Sequence, residues 1–244
     1  MRKVDYNSRR RSVLNSAISR YIKNALPVAS DEIAEEFDLS SATIRNIFSE
    51  LDESGFLKHP YTSGGRVPTD KGYRYYVDFL IRQMELLDEE KKRILKDCKK
   101  KIRRLDDALE NTPEVISEIT HYAGIVSILQ LQDKFFYKGI SRIIDQPEFK
   151  DADKIRLLVR LMEDKEKLLE IINRDFSGKV KVYIGSELGL AEMENCSLIV
   201  SGFNLKNRPL GRLAVLGPMR MEYDHIIPTL EYISDVLNQI LEEF

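Results

Sequence analysis

The sequence predicts an α+β protein: an N-terminal winged helix-turn-helix, a helical linker, and a C-terminal sensor-like domain whose antiparallel sheet is covered by helices. Three observations lead there. Three short amphipathic patterns, each with a cap or stop signal, precede two extended pieces around Ser63-Gly64-Gly65. A heavily charged stretch almost free of Gly and Pro follows. The remainder mixes apolar strand-like runs with helical periodicity. These zones set the expected boundaries: 1–82 for the winged helix, 83–111 for the linker and 112–244 for the last domain.

Leu14, Ala17, Ile18, Tyr21 and Ile22 recur at helical spacing, which predicts a helix over 8–25 that Pro27 ends. Ser30 is a suitable N-cap for a second helix, 31–37, with Ile33, Ala34 and Phe37 inward. Ser40 or Ser41 caps a third, reaching about Ser54 and stopped by Gly55; Ile44, Ile47, Phe48 and Leu51 share one face. The linker carries Leu95, Cys98, Ile102, Leu105 and Leu109 at 3-4-3-4 spacing. That seam fits either a single helix lying across its own domain or a short coiled coil between two copies. Thr112-Pro113 then reads as the start of a helix over 114–123, ended by Gly124. IVSILQLQ and FFYKGISRI read as strands joined at Asp133-Lys134, residues 151–174 as helical, and VKVYIG, SLIVSGFNL and LGRLAVLG as strands. Lys206-Asn207-Arg208-Pro209 makes a hairpin turn, and an amphipathic helix runs from about Tyr223 to Phe244 with Pro228 near its start.

Composition narrows the function classes. The chain has 244 residues with 38 Lys+Arg against 40 Asp+Glu, net charge −2, and is 43% hydrophobic and 32% charged, enough to build a core. Its longest apolar runs fall far short of the roughly 20 residues of a membrane helix, and no secretory h-region follows the basic start. Cys98 and Cys196 lie far apart without a CxxC partner, which argues against a disulfide framework or thiolate zinc site and for a reducing cytoplasm. His59, His121 and His225 are scattered, no HExxH or GxSxG occurs, and GSELG at 185–189 does not match GxGxxG. His225 beside Asp224 reads as a capping neighbour. Neither enzyme nor cofactor is expected. Charge is uneven, however: Arg2, Lys3, Arg9, Arg10, Arg11, Arg20 and Lys23 face only Asp5 within residues 1–24, which suggests a polyanionic partner for that end.

The candidate binding residues lie on the third helix and the following loop. With Ile44, Phe48 and Leu51 inward, the 100° step puts Ala42, Asn46 and Ser49 outward, with Thr43 and Arg45 on the flanks. Asn pairs bidentately with adenine and Arg with guanine in a major groove. Ser41 and Thr43 suit phosphates near the helix N-terminus. In HPYTSGGRVPT, Gly64 and Gly65 permit a tight turn, and Thr62, Ser63 and Arg66 are candidates for backbone or minor-groove contact. Lys58, His59 and Tyr61 are further candidates. An ordinary capped surface helix and a solvated hairpin charge are the plainer readings of the same residues.

SSATIRN, then ELDESGFL, then HPYTSGGRVPTDKGYRYYVD resembles the heat-inducible transcription repressor family HrcA. VKVYIGSE, CSLIV and GRLAVLGPMRMEYDHIIPTLEYI resemble that family's C-terminal half. The resemblance implies a cytoplasmic, homodimeric repressor with a winged-helix domain and a GAF-like domain. It implies binding to double-stranded DNA at the CIRCE inverted repeat of chaperone operons, with a GroEL-type chaperonin promoting the active form. Two departures stand out. Ile47 and Phe48 occupy positions where the family usually carries an acidic residue and Met, and the family's inserted dimerisation region is absent between IVSILQLQ and FFYKG. The seam Leu95–Leu109 and the helix 223–244 are then the candidate dimer elements. A repressor controlled by a small ligand in the GAF-like domain is the alternative reading. An adaptor that binds protein through its winged helix is a third, separable by the weak salt dependence expected of an apolar contact.

Overall fold

A computed structural model of the chain describes residues 6–60, 65–81, 84–102, 105–129, 131–163, 165–174, 178–206 and 208–243. The chain divides into two compact units with the boundary between residues 82 and 83.

The first unit has helices α1 (Tyr6–Asn24), α2 (Ser30–Phe37) and α3 (Ser41–Glu53), strands β1 (Leu57–Lys58) and β2 (Val67–Pro68), and α4 (Asp70–Leu80). Val13, Leu14, Ala17, Ile18 and Ile22 of α1 are buried, with Ile33 and Ala34 of α2 and Ile44, Ile47, Phe48 and Leu51 of α3. The three helices thus share one core through the apolar faces that the spacing predicts. Asp38, left-handed at φ 51°, closes α2 and opens the turn into α3. Left-handed Gly55 (φ 73°) ends α3, and β1 pairs antiparallel with β2, Lys58 opposite Val67. Thr69 caps α4 and donates from its hydroxyl to the Gly55 carbonyl (2.6 Å), tying α4 to the end of α3. Ala29, rather than Ser30, is the N-cap of α2.

The second unit starts with α5 (Asp88–Lys101) and α6 (Leu105–Thr120). The single linker helix expected over 83–111 is therefore two helices. Ile102 is extended (φ −109°, ψ 103°), and Lys101 reaches forward to Glu114 (2.8 Å) and Glu118 (2.9 Å), so the chain folds back on itself. Ile94, Cys98 and Ile102 are buried within this unit, where α5 packs on α6 and α10 (Tyr223–Glu242). Of the seam, Cys98, Ile102 and Leu109 are buried and Leu95 is half-buried, so three of its residues pack into the core. Nor does Thr112-Pro113 start a helix: Pro113 lies inside α6. Proline there removes one helical hydrogen bond. Ala108, Thr112, Val115, Ile116 and Ile119 form one continuous buried face, and its packing outweighs that loss. The Thr112 hydroxyl donates back to the Ala108 carbonyl.

The sheet contains β3 (Ala123–Ile128), β4 (Leu131–Lys138), β5 (Val180–Ile184), β6 (Cys196–Leu205) and β7 (Arg208–Pro218) in the order β4-β3-β7-β6-β5, all neighbours antiparallel. The first hairpin turns between Ile128 and Leu131, not at Asp133-Lys134, because β4 pairs Phe135 and Phe136 with Ser127 and Val126. Gly139 (φ 82°) ends β4, and Ile140–Ile144 is the helix α7 rather than more strand. A side chain at Gly139 would meet the Ser117 hydroxyl at 1.9 Å, so only glycine allows this approach.

Helices α8 (Ala152–Glu163) and α9 (Lys165–Ile172) complete the second unit. Leu198, Val200, Ala214 and Leu216 on one sheet face join a core with Leu158, Leu161, Leu168 and Ile172. Strand residues between them point to the other face, where α6 and α10 pack. Ile226, Ile227, Leu230, Ile233, Val236, Leu237, Ile240 and Leu241 of α10 are all buried in this unit. The apolar stripe of the terminal helix is therefore occupied by its own domain. Burial pushes the Cys98 and Cys196 thiols up to about 12, so both are inert core residues at neutral pH.

Candidate nucleic-acid interface

Helix α3 is positioned by its core and its caps. Ser40 accepts the Thr43 backbone N–H (3.1 Å), and the hydroxyls of Ser40 and Thr43 lie 2.9 Å apart. At its far end, Lys71 donates to the Ser54 carbonyl (2.9 Å) and lies over the Phe56 ring at 4.6 Å. With Ile44, Ile47, Phe48 and Leu51 buried, Ala42, Arg45, Asn46 and Ser49 are exposed, while Ser41 and Thr43 are half-buried beside them. The Arg45 Nε donates to the carbonyl of Ser41 (3.3 Å), laying that guanidinium along its own helix toward the N-terminus. One polar surface thus presents an amide, a guanidinium and a hydroxyl above a rigid core. These groups are suited to base edges and phosphates.

The wing is less open than the sequence suggests. Thr62, Ser63 and Gly64, with Tyr61, lie outside the described residues. A side chain at Gly65 would meet the Pro27 Cβ at 2.6 Å, so glycine admits a close approach between the wing and the α1–α2 connection. Val28 and Arg66 form an antiparallel bridge there, with N–O distances of 2.8 and 3.0 Å. The Arg66 side chain is only 12% exposed, and its Nε sits 3.2 Å from Asp52 Oδ2 on α3. Its Nη1 donates to His59 Nδ1 (2.8 Å). Arg66 is thus at the base of the wing, turned onto α3. Asp52 was not legible as its partner, since two charges fourteen positions apart carry no periodic signal.

The basic N-terminal stretch is also partly internal. Arg10 donates to the Glu50 carbonyl (3.1 Å), and Arg20 pairs with Glu32 (3.2 Å) and Glu36 (3.5 Å). Arg11 and Lys23 are exposed.

In the second unit, a groove of about 420 Å³ runs beside β6, β7 and α10. Several of its polar groups bond to one another, while Arg212 and Glu231 also line it. Ser201 donates to the Lys179 carbonyl (3.0 Å), Ser234 to the Gly202 carbonyl (2.6 Å), and Lys179 to Asp235 (3.1 Å), while Asn238 accepts the Asn204 N–H (2.7 Å). Among the described residues, no group of three or more His, Cys, Asp or Glu could hold a metal ion, and no helix is long and apolar enough to cross a membrane.

The family described as winged helix-turn-helix transcription repressor, HrcA DNA-binding, matches residues 5–78, and that described as HrcA protein C terminal domain matches residues 127–227. The chain belongs to the HrcA family. The HrcA match spans both units, and this is a family of transcription repressors rather than enzymes. The heat-inducible transcription repressor HrcA of Carboxydothermus hydrogenoformans is 30% identical over 335 residues, covering 96% of this chain and 98% of that protein. Its Brevibacillus brevis counterpart is 27% identical, with 96% and 98% covered. An alignment 335 long against a chain of 244 leaves at least 91 positions with no residue here, which agrees with a short HrcA form. A crystal structure of a hypothetical protein shares the fold at TM-score 0.76 and 18% identity, covering 97% of this chain and 98% of that one.

Proposed function

We propose that this chain is a cytoplasmic, DNA-binding repressor of heat-shock chaperone operons that acts as a homodimer on an inverted-repeat, CIRCE-type operator. One observation carries the reading: α3 buries Ile44, Ile47, Phe48 and Leu51 and presents Arg45, Asn46 and Ser49 outward, on a winged helix matched by the HrcA DNA-binding family. Ser41 and Thr43 near the helix N-terminus suit phosphates, and Thr62, Ser63, Gly64 and Gly65 of the wing suit backbone contact. Two copies related by a two-fold axis would place their α3 helices in successive major grooves. Polymerase is excluded while they remain there. A GroEL-type chaperonin as modulator of the active form rests on family membership alone. The second unit is the part assigned to holding two copies together, a role that rests on family membership.

Gel-shift titration on an inverted repeat and on a scrambled duplex of equal length, with light scattering on the complex, tests this. Tighter binding to the repeat by two copies is the expected result. A monomer that binds both duplexes alike would overturn it. Recovery of DNA binding after dilution from denaturant should rise with added chaperonin; no change would remove the chaperonin from the scheme.

A further inference from the structure

We infer that Arg66 is a positioning residue: gripped by Asp52 in the last turn of α3, it fixes the wing to the recognition helix rather than contacting nucleic acid itself. The inference rests on the reading of α3 and the wing as the DNA-binding surface, and it specifies how their relative placement is held.

The geometry is a four-way tie made by one residue. Its guanidinium Nε is 3.2 Å from Asp52 Oδ2, an ion pair without hydrogen-bond alignment, with only 12% of the side chain exposed. Its Nη1 is 2.8 Å from His59 Nδ1, just past β1. Arginine has only donors, so Nδ1 accepts and Nε2 carries the ring hydrogen. That Nε2 lies 3.8 Å from the same Asp52 oxygen, so His59 and Arg66 converge on one carboxylate. The Arg66 backbone exchanges both hydrogen bonds with Val28, and Val67, the next residue, pairs with Lys58 of β1. Gly65 against Pro27 lets these backbones approach. The recognition helix, both wing strands and the α1–α2 connection therefore meet at Arg66.

The two roles available to this arginine have opposite signatures. As a phosphate contact, Arg66 would be hindered by Asp52, and removing that carboxylate would strengthen binding. As a latch, it needs Asp52, and removing the carboxylate would release the wing and weaken binding. A phosphate contact also carries a released counterion, worth close to one unit of salt slope, whereas a latch carries none.

The experiment uses full-length Asp52→Asn, Arg66→Lys, Arg66→Ala and the double variant Asp52→Asn/Arg66→Ala. Affinity for the inverted repeat is measured across a salt series, and amide hydrogen exchange is followed without DNA. Asp52→Asn and Arg66→Ala should each weaken binding about tenfold, with the double variant no weaker than the worse single one, as coupled partners require. Arg66→Lys, which keeps the charge but not the fork, should fall between wild type and Arg66→Ala. The salt slope should hold, and exchange at the Val28 and Arg66 amides should accelerate in Asp52→Asn and Arg66→Ala alike. Tighter binding by Asp52→Asn, a slope shallower by about one unit in Arg66→Ala, or unchanged exchange in both would overturn the latch. A wild-type chain that bound no duplex would sink the repressor reading, while the exchange data would still decide the latch.

Discussion

Arg10 on α1 holds the end of α3: its Nη2 donates to the Glu50 carbonyl at 3.1 Å and to Ser54 Oγ at 2.5 Å. The Ser54 hydroxyl in turn donates to the same Glu50 carbonyl (2.6 Å). A cation at a helix C-terminus complements its partial negative charge and meets carbonyls that lack helical partners.

Arg10→Ala should therefore act on stability first. Loss of charge-assisted hydrogen bonds at a side chain 27% exposed is expected to cost about 1–2 kcal/mol. Denaturant unfolding of the variant measures this. Unchanged unfolding with weakened DNA binding would assign Arg10 to the nucleic-acid surface instead.

Arg220 and Glu148 form a largely enclosed ion pair in the second unit, Nε to Oε1 2.5 Å, with side chains 13% and 23% exposed. Arg220 also donates to Gln146 (2.9 Å), so one guanidinium holds the segment before α8. Arg220→Ala leaves an enclosed carboxylate without its cation and is expected to destabilise the fold by about 3 kcal/mol. Arg220→Met/Glu148→Leu should recover much of that loss. A single variant as stable as wild type, read by thermal unfolding, would show that the pair contributes nothing.

Glu231 on α10 provides a pH test. Burial raises its pKa above the ordinary carboxylate value, with Asp235 adding to the rise and Lys179 opposing it. A carboxyl whose folded pKa is raised binds its proton more tightly folded than unfolded, so its ionisation destabilises the fold above that raised value. Glu231→Gln should then melt higher than wild type at pH 7. The gap should close as pH falls through the raised pKa and vanish below the ordinary carboxylate range, where the acid is neutral in both states. A gap that widened toward low pH would contradict this.

The first unit was more legible in the sequence than the second. Its helices are short and capped, and each shows one apolar face, so periodicity alone identified Ile44, Ile47, Phe48 and Leu51 as inward and Asn46 and Ser49 as outward. In the second unit, tertiary packing overrode local signals. Pro113 looked like a helix start but is carried inside α6 by the buried face around it. Asp133-Lys134 looked like a turn but lies within β4, an edge strand held by its pairing with β3. The linker seam had the right spacing, yet spacing does not say which helix will cover it. Asp52, Arg66 and His59 were beyond reach for a similar reason: their convergence depends on the angle between α3 and the wing.

The central claim is that the outer face of α3 reads sequence, and Asn46→Ala tests it most directly. Equilibrium binding of wild type and variant is compared on the inverted repeat and on the scrambled duplex at fixed salt. A lost bidentate base contact costs about 1–3 kcal/mol, on the order of 10- to 100-fold on the repeat, and affinity for the scrambled duplex should stay the same. Equal losses on both duplexes, or none on either, would contradict the claim.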